Sequence, residues 1–410
     1  MAGPVTRTMN DPAADAALLL MRVGLGLLFI ILPAASVFSR RVIFVILPVG
    51  AALVFLAATL APRRHAVLAR DDLQLSPVSA GLIFLILWAG LSLLWTPFEA
   101  AAAERFLKSA GTGLVVALAI VFLPGRTRSS NLNLLPIGTG LAAICAVAAA
   151  LLGLAMAKTV DMGSSTLERS VVMLILLVWP TLAALGIRDR WAMAGFVAVA
   201  VSVAAVAAWS PVALTAMALG ALTFAISVSK PQQTAKWIGL VLAALFVLGP
   251  VLPFVLKLFA GARGAEGAFA PMFVWSEIVQ NEGLRLITGH GLDSSARGIL
   301  QGYLPLRTPR TILFEVWYDL GLLGALGSAW LAYFAALSAG RATHTLAPFL
   351  LAGLVSGIVI PISGLSTAQL WWLSAIGLAA ISFALVARGQ YRTRRPLAKV
   401  VDNISLDPAR

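Results

Sequence analysis

Charge is scarce in this chain, and cysteine is scarcer. Only 11% of residues are Asp, Glu, Lys or Arg, while 60% are hydrophobic and the mean hydropathy is +0.94. A soluble domain carries about 25% charged residues, so a soluble protein of this length is excluded. Cys145 is the only cysteine and lies inside an apolar run, which leaves no disulfide framework and no thiolate metal site. Alternating segments of about ten residues, the mark of a membrane β-barrel, are missing. The apolar runs are instead continuous and close to the ~20 residues that a spanning helix needs. The fold class is therefore all-α, a polytopic membrane protein with residues 1–410 as a single membrane domain. Net charge is +13 with a pI near 11.0, but the basic residues sit in short connectors between apolar runs. That pattern orients helices in a bilayer and argues against nucleic acid as a partner.

Windowing the hydropathy predicts about twelve spans, roughly 23–39, 42–61, 79–96, 105–123, 132–156, 170–187, 191–208, 211–229, 237–259, 313–338, 345–362 and 368–387. Asp11-Pro12 ahead of them has the form of a helix start rather than of a cleavable signal peptide. Lys and Arg recur in alternate connectors: Arg63, Arg64 and Arg70; Arg126 and Arg128; Arg188 and Arg190; Lys230 and Lys236; Arg341; then Arg388, Arg392, Arg394, Arg395 and Lys399. By the positive-inside rule both termini are cytoplasmic. Opposite connectors are short or acidic, with Glu99, Glu104, Asp161 and Glu168, although Arg40-Arg41 breaks the trend.

One polar stretch interrupts this scaffold. Residues 260–312 form a long outer loop before the tenth span and carry Arg263, Arg285, Arg297, Arg307 and Arg310 together with His290. Pro271, Met272, Trp275, Ile278 and Val279 have one-faced helical spacing, as for a short helix in the membrane interface. The glycines and prolines from Gly289 to Pro309 break the remainder into turns. Arg105 and Lys108 open the fourth span and Arg169 opens the sixth, so three chain regions bring positive charge to a surface that the charge rule otherwise depletes. Arginine grips phosphate through a planar two-pronged fork, and a lipid diphosphate at the outer leaflet is a ligand such an arrangement serves. The plainer reading is that each arginine reaches headgroups or pairs with Glu104, Glu168, Glu277 or Asp293.

Four stretches resemble one known group of proteins. They are Trp88-Ala89-Gly90-Leu91-Ser92-Leu93-Leu94-Trp95-Thr96-Pro97; Glu168-Arg169 before the run ending Trp179-Pro180; Gly289-His290-Gly291-Leu292-Asp293; and Thr308-Pro309-Arg310-Thr311 followed by Phe314 to Gly324. In order and spacing they resemble the O-antigen ligase and Wzy-type polymerase superfamily of bacterial inner membranes, over about two thirds of the chain. The resemblance implies a glycosyltransferase that takes an undecaprenyl-diphosphate-linked glycan donor to a saccharide acceptor in lipopolysaccharide or exopolysaccharide assembly. It implies no metal and no nucleotide cofactor, membrane lipid as surroundings, and polysaccharide-export proteins as partners. Arg169 falls on the family's span-leading arginine, and Arg105, Arg263 and Arg297 are the further substrate-binding candidates.

Two positions depart from the pattern. Arg310-Thr311 stands where ligases usually carry a histidine, and Pro271 stands ahead of Trp275 where many carry an arginine. A ligase must take a proton from a sugar hydroxyl, which arginine cannot do. Arg310 can bind or polarise; His290, or a carboxylate such as Glu315 or Asp319 one turn on, is the candidate base. The spacing from Arg310 to Gly321 resembles a polymerase loop. Two other function classes compete: a catalytically silent subunit or regulator of polysaccharide export, and a secondary transporter. The last is disfavoured by the absence of a visible repeat and of ionisable groups at mid-span.

Overall fold

The computed structural model describes residues 12–60, 76–155, 164–260, 270–282, 285–364 and 370–389. Among these residues every regular element is helical, and the β-bridge between Thr127 and Gly389 is isolated. The helices begin with α1 (Pro12–Ser36), α2 (Val42–Leu60), α3 (Pro77–Leu94), α4 (Glu99–Phe122), α5 (Ser129–Gly153), α6 (Thr166–Gly186), α7 (Trp191–Ala207), α8 (Pro211–Ser227) and α9 (Pro231–Val247). They continue with α10 (Leu252–Ala260), α11 (Ala270–Asn281), α12 (Arg285–Thr288), α13 (Ser294–Leu300), α14 (Ile312–Gly340), α15 (Ala347–Ile362) and α16 (Leu370–Ala387).

Eight of these helices, α1 to α6 with α14 and α16, are long and apolar enough to cross a membrane. A ninth candidate is α9 taken with its continuation Gly249–Leu258, bent by 63°. The bend falls at Gly249-Pro250, where proline removes a helix donor and crowds the preceding turn. Helices α7, α8 and α15 have 17, 17 and 16 residues, about 25 Å of rise at 1.5 Å per residue. That falls short of the ~30 Å hydrocarbon core. By length and composition eight helices, or nine with the bent pair, qualify as spans, and shorter apolar helices stand at the other three of the twelve expected positions.

Local chemistry starts several of them. Ser76 and Ser210 each cap a helix whose first residue is proline, their side chains accepting from Ser79 N and Ala213 N. Helix α6 is the central post: 89% of its apolar window is buried, against α5, α7, α15 and α16. Polar groups stitch it to its neighbours. Trp179 Nε1 donates to Ser356 Oγ at 2.8 Å, and that hydroxyl donates onward to Ala216 O at 2.8 Å. Gly220 lets α8 come this close, since a Cβ there would lie 2.5 Å from the Trp179 ring. By contrast only 6% of the α4 window is buried, so α4 presents most of its surface to lipid.

A second apolar cluster joins α9, α11 and the start of α14 through Trp275, Phe314 and Trp317, with Trp317 Nε1 donating to Phe246 O at 2.6 Å. The helix expected after Pro271 is present as α11. Its Trp275 is buried in this cluster, 5.6 Å from the Phe314 ring, so the apolar face packs on protein.

The two ends of the bundle are tied separately. At one end Arg388 Nη1 donates to Ile120 O and Leu123 O, Thr127 N donates to Arg388 O, and Arg188 Nη1 donates to Asn133 Oδ1 at 2.6 Å. Helices α4 and α16 run parallel, Val116 beside Gly377 and Leu123 beside Arg388. The starts of both helices, with Arg105 and Trp371, therefore share the opposite end.

Candidate functional site

Three of the resembling stretches meet at that opposite end. Trp88 Nε1, late in α3, donates to Leu320 O at 2.9 Å. One turn on, Ser92 Oγ accepts from Leu292 N at 3.1 Å, and Thr96 Oγ1 donates to Leu292 O at 2.9 Å. His290 N and Gly291 N donate to Tyr318 O and Asp319 O at 2.8 and 2.9 Å. The Gly-His-Gly turn is thus clamped between the end of α3 and a π-helical turn, Val316–Leu320, inside α14. Gly289 and Gly291 have φ of +73° and +95°, and a Cβ on them would lie 2.3 Å from Asp319 O and 2.6 Å from Thr96 Cα. Only glycine fits both the backbone conformation and the space.

Asp293 is the electrostatic hub. It is buried, takes a left-handed conformation at φ +67°, and starts α13. Its Oδ1 accepts from Arg105 Nη1 at 2.5 Å and its Oδ2 from Arg297 Nε at 3.2 Å. Two cations from distant parts of the chain therefore share one carboxylate. Its own amide donates to Asp319 Oδ2 at 3.2 Å, and Ser295 N donates to Asp319 Oδ1 at 2.7 Å. The buried Asp319 of α14 thereby caps the start of α13, satisfying amides that have no intrahelical partner. Lys108 pairs with Glu104 on the exposed side of α4.

His290 sits within this knot. Its ring stacks on Tyr318 at 4.0 Å between centroids, with an interplanar angle of 9°. Nδ1 lies 3.1 Å from Tyr318 O, a carbonyl that can only accept, so Nδ1 is the donor. Nε2 lies 2.6 Å from Glu282 Oε2, on a residue that is 41% exposed. Glu315 is buried four residues before Asp319 on α14. Arg310 is exposed, outside the knot and without a carboxylate partner among the described residues.

No family model, curated protein or solved structure matches this chain. Its function has to be argued from the chemistry of the site.

Arg169 lies elsewhere at this end. It stands over the Trp371 ring at 5.6 Å and lines a small cavity with Arg40, Thr166 and Ser170. Arg40 Nε donates to Thr166 Oγ1 at 2.8 Å. Neither Arg310 nor Arg297 lines this cavity. Of the arginines singled out in the sequence, Arg105 and Arg297 converge on Asp293, Arg169 faces Arg40, and Arg310 is alone; Arg263 lies outside the described residues. Sequence reasoning missed the hub role of Asp293 and the place of Arg40. The signal for Arg40 was its violation of the charge rule. Asp293 stood in the sequence among the carboxylates with which an arginine could pair, and for Arg105 and Arg297 that plainer reading holds; that both would converge on it shows only once α4 is folded beside it. No group of three or more potential metal ligands occurs among the described residues.

Proposed function

We propose that the chain is a membrane glycosyltransferase of the O-antigen ligase or polymerase type, taking a glycan from a lipid diphosphate at the outer face of a bacterial inner membrane. The observation that carries the reading is the interlocking of the α3 end, the Gly-His-Gly turn and the start of α14, three stretches that resemble the family separately in sequence. Cations gather at the same end of the bundle. Arg40 and Arg169 offer forked donors to one phosphate group, while Arg105 and Arg297, held at Asp293, offer a second positive pair.

Transfer needs a base within about 2.6–3.2 Å of the acceptor hydroxyl. His290 has the orientation for it: Nδ1–H donated to Tyr318 O fixes the ring and points Nε2 outward, toward the Glu282 carboxylate, which only accepts. Nε2 presents a lone pair to an acceptor once Glu282 is displaced and the Nε2 proton leaves with it. An acceptor hydroxyl that displaces the partly exposed Glu282 carboxylate meets Nε2. Arg310 takes no part in the proton transfer.

The test is reconstituted transfer with a polyprenyl-diphosphate glycan and a saccharide acceptor. Turnover is expected in the parent chain, with loss of donor affinity in Arg169→Ala and Arg40→Ala and a large fall in rate without loss of affinity in His290→Ala. Arg310→His is expected to leave turnover equal or raise it, and Glu315→Gln to preserve it. Absence of turnover together with parental donor affinity in both arginine variants would sink the proposal. The second reading, a silent subunit of polysaccharide export, is favoured by Arg310 at the family's histidine position and by the occupation of both His290 ring nitrogens. It predicts donor affinity without turnover.

A further inference from the structure

At the far end of the bundle from Asp293, a cavity of about 750 Å³ opens beside the start of α9. Lys230 and Lys236 line it from α9 and its N-terminal residue, and His344 lines it from the connector between α14 and α15. No carboxylate lines the cavity, and none of these three side chains forms an ion pair among the described residues. Its positive charge is therefore uncompensated. Helix α9 starts with Pro231 and has no side-chain cap, so the amides of its first turn lack a capping oxygen, and its Gln232 and Gln233 line the cavity. An anion at this place would answer the lysines and the helix start together.

The lower wall is apolar. Gln233, Lys236, Trp237 and Leu240 follow one another at spacings of three, one and three residues, which keeps them on one stripe of α9 running toward the middle of the bundle. Trp237 is 63% and Leu240 50% exposed, the surface expected of side chains that meet lipid. An exposed tryptophan next to lysines marks the depth at which headgroups give way to acyl chains. Basic above and apolar below, the cavity has the polarity profile of a single anionic phospholipid rather than of a soluble ion.

We propose that this cavity binds the phosphodiester headgroup of an anionic membrane phospholipid, with Lys230, Lys236 and the α9 amides on the phosphate and an acyl chain along Trp237 and Leu240. The site is independent of the transferase reading, because it uses no residue of the Asp293 knot or of the Arg169 cavity. Recognition of this kind couples the bundle to the composition of the leaflet that the charge rule places on the cytoplasmic side.

The experiment is native mass spectrometry of the full chain released from micelles doped with phosphatidylglycerol or phosphatidylcholine. Preferential retention of phosphatidylglycerol is expected. Lys230→Gln with Lys236→Gln should weaken it about thirty-fold, as for two cationic contacts at a membrane surface. Arg126→Gln, an exposed charge on another connector at the same end, should leave retention unchanged. Both lysines are exposed, and the single variants, each with a smaller loss, keep the test valid if the double variant is unstable. Equal retention of phosphatidylcholine, or an equal loss in Arg126→Gln, would overturn the proposal. So would displacement of the lipid by millimolar inorganic phosphate, which would make the cavity a soluble-anion site.

Discussion

Replacing Asp293 with Asn should move stability and anion affinity in opposite directions. Asn has the same shape and tolerates the left-handed conformation that Asp293 adopts at φ +67°, so the change isolates the charge. In the parent protein Asp293 is 5% exposed at its side chain, Arg105 19% and Arg297 43%. Breaking a fully buried pair costs about 3–5 kcal/mol, whereas an exposed pair contributes about 0–1 kcal/mol. The Arg105 pair lies between these limits, near 2–3 kcal/mol, and the Arg297 pair adds at most about 1 kcal/mol because water screens it. Equilibrium unfolding in mixed micelles of the parent, Asp293→Asn, Arg105→Gln and the double variant gives the coupling directly. A coupling of about 2 kcal/mol is expected. The affinity for inorganic pyrophosphate or a lipid diphosphate should meanwhile rise, since two arginines and one carboxylate become two arginines alone. A coupling below about 0.5 kcal/mol would show that Arg105 is solvated as well without its partner, and the view of Asp293 as the group that docks the loop on α4 would be abandoned.

Alanine at Gly289 or Gly291 should prevent stable assembly of the knot, because the new Cβ meets backbone of α14 or of Thr96 just after α3, whereas Gly302→Ala, at φ +80° with nothing within 4 Å, should cost only about 1 kcal/mol of left-handed strain; thermal unfolding of the three variants ranks them. Trp88→Phe removes the donor to Leu320 O and should cost about 1 kcal/mol with the ring's packing retained, a loss read in the same unfolding assay. Single cysteines at the exposed positions 303 and 310 in a Cys145→Ser background should react with impermeant thiol reagents from the outside, and those at 128 and 190 only after the cytoplasm is opened; the reverse pattern would overturn the orientation.

The helical, membrane-spanning character was legible because it is written in composition and run length, which need no tertiary information. The span count was less so. The apolar windows around α7, α8 and α15 do coincide with helices, but these run to 17, 17 and 16 residues, just under the length of the eight clear spans. At the site, the stretches around Trp88, His290 and Phe314 stood out by residue type, and the turn glycines by their spacing. Their contacts were not legible. That Ser92 and Thr96 bond to Leu292 depends on α3 packing against α14, a pairing about two hundred residues apart in sequence. Glu282 drew no notice as a helix-end glutamate, yet its carboxylate faces His290.

The tie between Arg388 and the end of α4 has a consequence for how the chain is made. Helix α4 finds its most extensive partner in α16, the last helix among the described residues, and Arg388 closes on Ile120 and Leu123 across separations of 268 and 265 residues. At about 5–20 residues per second of synthesis, α4 waits roughly 13–50 s in the bilayer before that partner is made. Its exposed, lipid-compatible surface is what lets it wait. A ribosome that stalls after α15 would leave α4 unlatched at that end, so interrupted chains should be distinguishable to quality-control proteases by a single missing clasp rather than by any unfolded domain.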